Sequence, residues 1–496
     1  MIKINIENVL KRLYTIEVLL DTLKRMLSSI LMDQSAPVTD FEIPSEWIYR
    51  GEGNMNVVIS LPKLGKILRI RKTDRPKSLI EWLVLWISDF LYWYWGKGVE
   101  EEMRDLKFYS TVMRPMVGRK YTSEAHQVVL TRKQIQILQN ELSKYRPEFR
   151  KHKILQYGRA SLFDDYAFMP LDEYDYLPFQ MSEDTFAVEL KPKQGWRPFS
   201  EKHYPACVFC MKQYLKLESK KISKLSEYCP EDLFSGDEIR MKRAIKSLIS
   251  NPQNNFQVFK NGTLVYGEKS ALDFSHIVHS LFEDHNEDQE RLIDEFCELV
   301  RQSLVTNIMN VDFVEHCEEK LFCEWNKIIQ QSSAQSALPR GCVLEKILSI
   351  QMLDTEGSFY YEKLLHREDI KDWNYINMLL DKIDNKHVCL KCLIMMLGDT
   401  NRSQEEMDLA FIPYLISVIM KDCSLMVTLK RIQEDISDNL ELKNIIKTNY
   451  GYFLVNIGVF DLYPKRLSSI KMHCKRNKNI LDAYMKATTK SNKLPQ

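Results

Sequence analysis

The first 34 residues have a helical pattern of apolar positions. Steps of four and three residues separate their apolar side chains, which are Ile2, Ile6, Val9, Leu13, Ile16, Leu20, Leu23, Leu27 and Ile30. This spacing places one apolar stripe along a single helix, and it suits a coiled-coil seam, a docking helix or a helix packed on its own core. Pro37 and Pro44 then predict a linker. We expect residues 1–45 to form an N-terminal amphipathic helix and linker, in which residues 1–34 could pack on a partner helix.

Residues 46–75 change to the pattern of β-strands. Two runs rich in strand-forming residues flank a turn at residues 62–65 that contains proline and glycine, so we predict a hairpin there. Helical patterns dominate residues 78–150. Further strands are predicted at 165–169 and 185–190, where apolar residues cluster again.

Helix punctuation is clear from residue 235 onward. Ser235 and Glu238 have the spacing of a capping box. The apolar face predicted behind them consists of Ile239, Ala244, Ile245, Leu248 and Ile249.

Strand patterns return after this helix. A turn of asparagine and glycine at 261–262 predicts a tight hairpin between strands at 255–258 and 263–266. The segments 424–429 and 452–460 are apolar enough to be buried strands. The polar stretch QQSSAQSA, at 330–337, is the best internal linker.

One apolar run, at residues 78–95, is close to the length that spans a bilayer. Glu81 and Asp89 interrupt it, and charges at those depths are costly in lipid. We favour a buried helix over a peripheral membrane contact, and we expect no stable membrane anchor.

Composition excludes some functions and leaves others open. The chain has 496 residues and a net charge of +1, so bulk electrostatic attraction to nucleic acid is not indicated. A polyanionic ligand would require basic residues concentrated in one cleft. Eleven cysteines without a secretory signal indicate a reducing compartment, and we expect the cytoplasm and the nucleus.

Two glycine-containing segments have residues suited to phosphate. The first, RGEGN at 50–54, precedes a strand, and glycines let backbone N–H groups approach an anion closely. In the second, Glu189, Lys191 and Lys193 alternate on one face of an extended segment, which presents two ammonium groups together. Taken alone, an ordinary turn and a solvated strand edge explain these patterns as well.

Two aspartates border predicted strands near the end of the chain. Asp422 precedes the strand at 424–429, and Asp461 follows the strand at 452–460. Kinase sites need one carboxylate to accept the substrate hydroxyl proton and another to hold Mg²⁺. Two such aspartates on neighbouring strands would supply both roles, although each could also be a turn residue.

Cysteine spacing indicates a candidate zinc site. His203, Cys207, Cys210 and Cys229 contain the C-x₂-C half of a tetrahedral site, and a zinc ion held by all four would be structural. A second set, His387, Cys389 and Cys392, has no obvious fourth ligand. Buried free cysteines are the alternative for both sets.

Six longer motifs occur in the order found in inositol-pentakisphosphate 2-kinases. They are WIYRGEGN, ELKPKQGW, KISKLSEYCPEDLFSG, NPQNNFQVFKNG, LPRGCVLEKILSIQMLD and KDCSLMV. Through them residues 46–482 resemble that family. The resemblance implies an α+β, two-lobed, kinase-like fold with an enlarged, partly helical C-lobe that holds the inositol phosphate. We accordingly expect an N-lobe at 46–180, with a nucleotide-binding hairpin and a helical insertion, and a C-lobe at 181–496.

The resemblance also implies a reaction and its residues. Phosphate would pass from ATP, with Mg²⁺, to the 2-hydroxyl of inositol 1,3,4,5,6-pentakisphosphate, giving inositol hexakisphosphate (phytate). The implied nucleotide-binding residues are Gly51, Glu52, Gly53, Asn54, Asn56, Arg69 and Glu189. The implied substrate-binding residues are Arg75, Arg150, Lys191, Lys193, Lys216, Asn254, Asn255, Lys465 and His473. Asp422 matches the general base, and Lys191 is the second implied catalytic residue. Asp461 matches the Mg²⁺ ligand, and Asp422 is the second implied Mg²⁺ ligand.

The sequence departs from the family pattern at a few positions. His473 stands where some relatives have a tyrosine against the substrate, and Gln257 stands where a basic residue is common. Two alternatives therefore stay open: an impaired scaffold or nucleic-acid-binding protein with the same fold, and a kinase for a less phosphorylated inositol or a lipid headgroup. The resemblance does not decide which cysteine set binds zinc.

Overall fold

A computed structural model describes most of the chain between residues 39 and 491. The described residues are 39–75, 78–81, 83, 100–170, 179–270, 272–307, 337–365, 374–386, 411–434, 436 and 444–491. They form a mixed α/β structure with two compact units. The N-terminal unit contains the described residues of Met1–Leu106 and Ala125–Asp165, and the C-terminal unit contains those of Lys107–Glu124 and Tyr166–Gln496.

The N-terminal unit is built on one sheet. Its strands are β1 Thr39–Asp40, β2 Ile48–Glu52, β3 Asn56–Leu61, β4 Lys66–Asp74, β5 His126–Leu130, β6 Lys153–Leu155 and β7 Gly158–Asp164. The order is β1-β5-β7-β4-β3-β2, with β6 paired to β4. The β1–β5 pair is parallel and the other pairs are antiparallel.

The hairpin predicted around residues 62–65 is confirmed. Strands β3 and β4 pair antiparallel, and a 3₁₀ turn at Pro62–Leu64 joins them. Gly65 ends the turn at φ +58°, a conformation that glycine adopts without steric cost. Alternate residues of β3 are buried because strand side chains alternate between faces: Val57, Ile59 and Leu61 enter the core.

The helical pattern expected for residues 78–150 is right only in part. The helices described in this stretch are α1 Glu100–Phe108, α2 Arg114–Val117 and α3 Arg132–Leu142, with a π-helical turn at Tyr109–Met113 and a 3₁₀ turn at Glu148–Arg150. Residues 126–130 are instead strand β5, because pairing with β7 buries Val128 and Leu130 in the sheet's core. Residues Lys107–Glu124 of the expected insertion belong to the C-terminal unit.

The C-terminal unit has a wholly antiparallel sheet. Its strands are β8 Met181–Leu190, β9 Phe256–Lys260, β10 Thr263–Tyr266, β11 Ser424–Ile432, β12 Ile445–Thr448 and β13 Gly451–Phe460, in the order β10-β9-β8-β11-β13-β12. The strands predicted at 185–190, 255–258, 263–266, 424–429 and 452–460 are therefore confirmed. Strand β11 is buried along almost its whole length between β8 and β13.

Helices surround this second sheet. They are α4 Val208–Glu218, α5 Pro230–Leu233, α6 Glu238–Ser250, α7 Phe274–Phe282, α8 Gln289–Val305, α9 Val343–Gln351, α10 Ser358–Leu365, α11 Asn374–Lys386, α12 Ile412–Met420 and α13 Ser469–Ser491, with a 3₁₀ turn at Phe199–Glu201. Helix α4 packs on α13, α6 packs on α8, and α9 packs on α12.

Three local predictions are wrong. Residues 165–169 form a turn rather than a strand. Strand β7 ends at the residue before them, because the Asp165 side chain accepts hydrogen bonds from Arg50 and Ser60. The cap of α6 is Asp237, whose carboxylate accepts from the Arg240 N–H at 2.8 Å, so Ser235 and Glu238 do not form the expected capping box. Ile239, assigned to the apolar face of that helix, is 78% exposed.

Several predictions fall outside the described residues. These are the helix at 1–34, most of the apolar run at 78–95, the linker at 330–337 and the set His387, Cys389 and Cys392. Among the helices that are described, none is both long and apolar enough to cross a bilayer. The lobe boundary expected at residue 180 stays a prediction.

Candidate active site

The glycine turn of the N-terminal unit is held open next to a buried ion pair. The register of β2 and β3 shifts between Tyr49 and Gly51, and Gly51 has a φ of +149°. A Cβ atom on Gly51 or Gly53 would meet no other atom within 4 Å. The Gly53 N–H donates to the Asn56 carbonyl at 3.0 Å and closes the turn. The backbone here leaves space on its outer side, as a phosphate-covering loop requires.

Glu52 lies inside this turn rather than facing solvent. Its carboxylate is 1% exposed and accepts hydrogen bonds from Lys72 and from Arg146, the latter at 3.0 and 3.1 Å. Burial by itself would raise the pKa of Glu52, but these two cations more than offset burial and lower it. Lys72 also donates to the Gly53 carbonyl at 2.6 Å. Glu52 therefore anchors the turn through Lys72 and Arg146, two residues that the sequence reasoning missed.

Two arginines contact the asparagines of the same turn. Arg150 donates to the Asn54 side-chain oxygen at 2.9 Å. Arg69 donates to the Asn56 side-chain oxygen at 2.8 and 3.1 Å when that amide is oriented to satisfy both groups. The structure thus brings four of the expected residues together around the turn. Arg75 is exposed directly after the end of β4, and its contact with a substrate stays a prediction.

In the C-terminal unit, the segment after β8 carries the two expected lysines. The Lys191 N–H donates to the Asn255 carbonyl at 2.9 Å and extends the pairing of β8 with β9. The Tyr228 hydroxyl donates to the Pro192 carbonyl at 2.7 Å. Lys193 has a φ of +61°, a left-handed conformation that costs a non-glycine residue about 1–3 kcal/mol and concentrates at functional sites.

Asp422 is the centre of a cluster of cations. It lies between α12 and β11, and its carboxylate is 3.4 Å from the Lys193 ammonium and 3.6 Å from the Lys465 ammonium. Its side chain is 63% exposed, so a ligand can reach it. Partial burial raises the pKa of Asp422, but Lys193 and Lys465 outweigh burial and lower it. Asp422 is accordingly ionised near neutral pH.

Asp461 lies at the same end of the sheet as Asp422. It follows β13 directly, and the neighbouring pair Ser424 and Phe460 brings the two aspartate segments side by side. Asp461 has a φ of +65°, so it shares the left-handed conformation of Lys193. Burial raises the pKa of Glu189, and the negative charge of Asp461 raises it further. The Asp461 charge therefore acts on the buried Glu189 carboxyl.

The remaining expected substrate residues have different surroundings. Lys216, on α4, donates to the Gln253 side chain at 3.2 Å. Asn254 is exposed, whereas Asn255 is 2% exposed and its side-chain oxygen has no hydrogen-bond partner among the described residues. Lys216 and Asn254 are accessible, and Asn255 supports the Lys191 backbone.

His473 is placed behind the cluster. It is buried, and its Nδ1 lies 3.0 Å from the Tyr414 hydroxyl. Burial and the charges of Arg476, Lys465 and Lys421 lower the pKa of His473 to about 3. A direct contact between this neutral ring and a substrate stays a prediction.

Gln351 joins the lysine segment to the aspartate segment and was missed from sequence. It is the last residue of α9 and is fully buried. Its side-chain oxygen accepts from the Gly195 N–H at 2.8 Å, and its side-chain nitrogen donates to the carbonyls of Lys193 at 2.8 Å and Met420 at 3.1 Å. It lies within the motif LPRGCVLEKILSIQMLD, but that motif alone assigned it no role.

Three cysteines form a separate cluster in the same unit. The sulfur atoms of Cys207, Cys210 and Cys229 all lie within 4.8 Å of one another. Hydrogen bonds from the Cys207 and Cys210 thiols lower the pKa of Cys229, which favours a thiolate. His203, the fourth ligand expected from sequence, is exposed, packs against the Tyr204 ring and lies outside this cluster.

Chemically, the C-terminal cluster combines an ionised carboxylate, a second carboxylate and several ammonium groups. An aspartate that is ionised and accessible can accept a proton from a substrate hydroxyl. A neighbouring aspartate supplies the oxygen ligand that Mg²⁺ prefers. The surplus of lysines suits an anionic substrate whose oxygens accept charge-assisted hydrogen bonds.

Comparisons with known proteins agree with this chemistry. The family model described as inositol-pentakisphosphate 2-kinase matches residues 49–479. An inositol-pentakisphosphate 2-kinase of Danio rerio is 27% identical over 490 residues, which covers 90% of this chain and 94% of the relative. A protein of the same name from Oryza sativa subsp. indica is 26% identical over 474 residues, with 88% and 93% covered. One from Arabidopsis thaliana is 31% identical over 247 residues, with 45% and 53% covered.

Proposed function

The chain belongs to the inositol-pentakisphosphate 2-kinase family, and from this premise we propose that it transfers the γ-phosphate of ATP to the 2-hydroxyl of inositol 1,3,4,5,6-pentakisphosphate. The product is inositol hexakisphosphate. The observation that carries the proposal is the accessible carboxylate of Asp422 between the ammonium groups of Lys193 and Lys465, at 3.4 and 3.6 Å. A base beside two phosphate-binding cations is what this transfer requires.

Each residue of the cluster has a role in this proposal. Asp422 orients the 2-hydroxyl and accepts its proton. Lys191, Lys193 and Lys465 bind substrate phosphates, each of which carries about −1.5 to −2 charges near neutral pH. Asp461 would hold the Mg²⁺ that accompanies ATP, because Mg²⁺ prefers oxygen ligands such as carboxylates and phosphates.

The nucleotide contacts are proposed for the N-terminal unit and Glu189. The open backbone at Gly51 and Gly53 would cover phosphates, and Arg69 would neutralise them. We infer that the two compact units correspond to the two lobes of a kinase-like fold, the N-terminal unit taking the nucleotide role and the C-terminal unit the inositol role. This assignment rests on their separate sheets and on the residues that each unit contributes.

One comparison of variants tests the proposal. Purified full-length chain is incubated with ATP, Mg²⁺ and inositol pentakisphosphate, and the products are separated by anion exchange. We expect inositol hexakisphosphate from the wild type and a loss of about 10²-fold or more in kcat for Asp422→Asn, the size of a general-base effect. Asp482→Asn, which changes an exposed aspartate of α13, is the matched control and should retain full activity.

Three results would contradict this proposal. Asp422→Asn with wild-type kcat would remove Asp422 from the role of base. Turnover of a less phosphorylated inositol or a lipid headgroup in preference to inositol pentakisphosphate would reassign the substrate. A chain that binds inositol pentakisphosphate and ATP without consuming ATP would instead be a scaffold.

We also propose that Cys207, Cys210 and Cys229 hold a structural zinc ion. Three convergent sulfurs, one of them favoured as thiolate, fit three of the four positions of a tetrahedral zinc site. Zinc here would tie the start of α4 to the start of α5, since Cys207 and Cys229 precede these helices. Metal analysis of the purified chain should find about one zinc per molecule, lost in Cys210→Ser. Equal zinc content in both proteins would reject this site.

A further inference from the structure

A buried ion pair lies directly behind the proposed base. Lys421 precedes Asp422 in the chain, and its ammonium group lies 2.6 Å from the Asp354 carboxylate. The Asp354 side chain is 1% exposed and the Lys421 side chain is 12% exposed, whereas the Asp422 side chain is 63% exposed. Two consecutive residues therefore have opposite environments: Lys421 is anchored inside the protein, and Asp422 is accessible to a ligand.

The segment that contains the base is short and joins two regular elements. Residues 421–423 connect helix α12 to strand β11. The N–H groups of Lys421 and Asp422 donate to carbonyls of the last turn of α12 at 2.9 and 3.0 Å. The ion pair with Asp354 adds a side-chain attachment to these backbone bonds. Because the connection is so short, the direction of the Asp422 side chain depends on how its neighbour is held.

The acidic partner of this ion pair is itself held in place. One oxygen of the Asp354 carboxylate accepts from the Gly357 N–H at 2.7 Å, and the other accepts from Lys421. The Asp354 carbonyl accepts from the indole N–H of Trp196 at 2.9 Å. Trp196 is three residues beyond Lys193, so Asp354 connects the segment of the proposed base with the segment of a proposed phosphate-binding lysine.

Stability alone gives little reason for an ion pair at this position. Burial removes water from both charges, and apolar side chains of similar volume are often as stabilising as a buried ion pair. An ion pair does require one geometry, because its energy depends on distance and its hydrogen bond depends on direction. The Lys421 ammonium also lies 6.0 Å from the centre of the Tyr414 ring. These contacts define the position of Lys421 more closely than apolar packing would.

We propose that Asp354 and Lys421 are positioning residues for the proposed base, Asp422. Their ion pair holds residues 421–423 in the orientation that presents the Asp422 carboxylate to the 2-hydroxyl, and neither side chain of the pair contacts the substrate. The inference rests on the proposed function and adds to it the residues that set the direction of its base. Because a misplacement of about 1 Å can cost about 10²-fold in rate, loss of the pair should lower kcat by about tenfold to one-hundredfold.

The test removes both charges together. In Lys421→Met with Asp354→Asn, methionine keeps most of the aliphatic stem, and the asparagine oxygen can still accept from the Gly357 N–H. The free energy of unfolding should change little, since no unpaired buried charge remains. With ATP, Mg²⁺ and inositol pentakisphosphate, kcat should fall by the stated factor while KM for ATP stays unchanged.

Two further variants serve as controls. Lys421→Arg keeps a cation opposite Asp354 and should retain most of the wild-type kcat. Lys486→Met removes the lysine of an exposed ion pair with Glu218, at 2.7 Å in the same unit, and should have wild-type kinetics. If the double variant does not fold, Asp354→Glu keeps the charges and moves the pair by one methylene, and a similar fall in kcat is expected.

The decisive measurement combines loss of the pair with loss of the base. In the Asp422→Asn background, removal of the pair should cause no further fall in kcat, because no base remains to be positioned. A general structural defect would instead lower kcat by the same factor in both backgrounds. Equal factors in the two backgrounds, or wild-type kcat in the variant without the pair, overturn the inference.

Failure of this inference can be separated from failure of the proposed function. Turnover by the wild type tests the proposed function alone. If the wild type has no turnover, crystal structures of the wild type and the double variant are compared. The Asp422 carboxylate should move away from the ammonium groups of Lys193 and Lys465, which lie 3.4 and 3.6 Å from it. Unchanged separations overturn the inference whether or not the chain is a kinase.

Discussion

Replacement of Gln351 by leucine should uncouple the lysine segment from the aspartate segment. The Gln351 side chain makes hydrogen bonds with Gly195, Lys193 and Met420 at 2.8, 2.8 and 3.1 Å. Met420 ends α12, two residues before Asp422. Leucine has a similar volume, so the substitution removes the hydrogen bonds without leaving a large cavity.

The size of the effect follows from these contacts. Three hydrogen bonds at about 1 kcal/mol each, with an added cost for the backbone groups left unpaired, predict a loss of about 3–5 kcal/mol in the free energy of unfolding. Without the side chain, Lys193 and Asp422 are no longer held at one separation. Because a misplacement of about 1 Å can cost about 10²-fold in rate, we expect kcat to fall by about that factor and KM for the inositol to rise.

The assay measures kcat, KM and thermal unfolding for Gln351→Leu beside a variant of similar stability. Leu281→Ala suits this purpose, since Leu281 is buried in α7, which packs on α8 and β10, and the truncation costs about 2–5 kcal/mol. Gln351→Glu is informative as well, because it keeps an acceptor for Gly195 but cannot donate to either carbonyl. Should Gln351→Leu and Leu281→Ala lower the unfolding temperature alike and keep equal kcat and KM, Gln351 is only structural and the reasoning is refuted.

Further predictions concern the turn, the buried histidine and the lysine segment. Glu52→Gln leaves two buried cations unpaired and should lower the free energy of unfolding by about 3–5 kcal/mol. Because folding lowers the pKa of Glu52 from 4.5, the wild type should lose this stability as the pH falls below that value, whereas the variant should not. Urea unfolding from pH 7 to pH 3 measures the difference. The pKa of His473 is about 3 in the folded state and 6.5 ordinarily, so the free energy of unfolding of the wild type should decline as pH falls from 6.5 toward 3. In His473→Phe, the free energy of unfolding should depend less on pH over the same range. Gly195→Ala places a Cβ atom 2.2 Å from the Phe234 ring and should raise KM for the inositol. Adding Phe234→Leu should partly restore the wild-type KM. An unchanged KM in the single variant would contradict the packing argument.

Strand predictions succeeded where local pattern and burial agree. The segments at 424–429 and 452–460 are almost continuously apolar, and they became the adjacent strands β11 and β13. The asparagine–glycine turn at 261–262 joins β9 and β10 as its backbone preference requires. Failures came where pairing decided the outcome: residues 126–130 have no strong pattern, and they are a strand because β7 lies beside them.

The candidate site shows the same division. Sequence motifs identified Lys193, Asp422 and Lys465, but only the structure brings both ammonium groups within 4 Å of the Asp422 carboxylate. Glu52 was expected to face a nucleotide, yet it lies in an ion pair with Lys72 and Arg146, because a buried carboxylate needs cationic partners that lie 20 and 94 residues away. Of the four residues expected to bind zinc, the three cysteines converge, whereas His203 lies outside their cluster, because spacing along the chain does not determine side-chain direction.

The sequence by itself determined which residues carry the chemistry and which segments prefer strand, helix or turn. Apolar alternation, turn residues and motifs are local properties, and backbone preferences express them wherever the segment lies. Tertiary structure decided which charges meet and which are buried. Gln351 gains its proposed role from packing between distant helices, because its hydrogen bonds depend on distances that no local pattern contains.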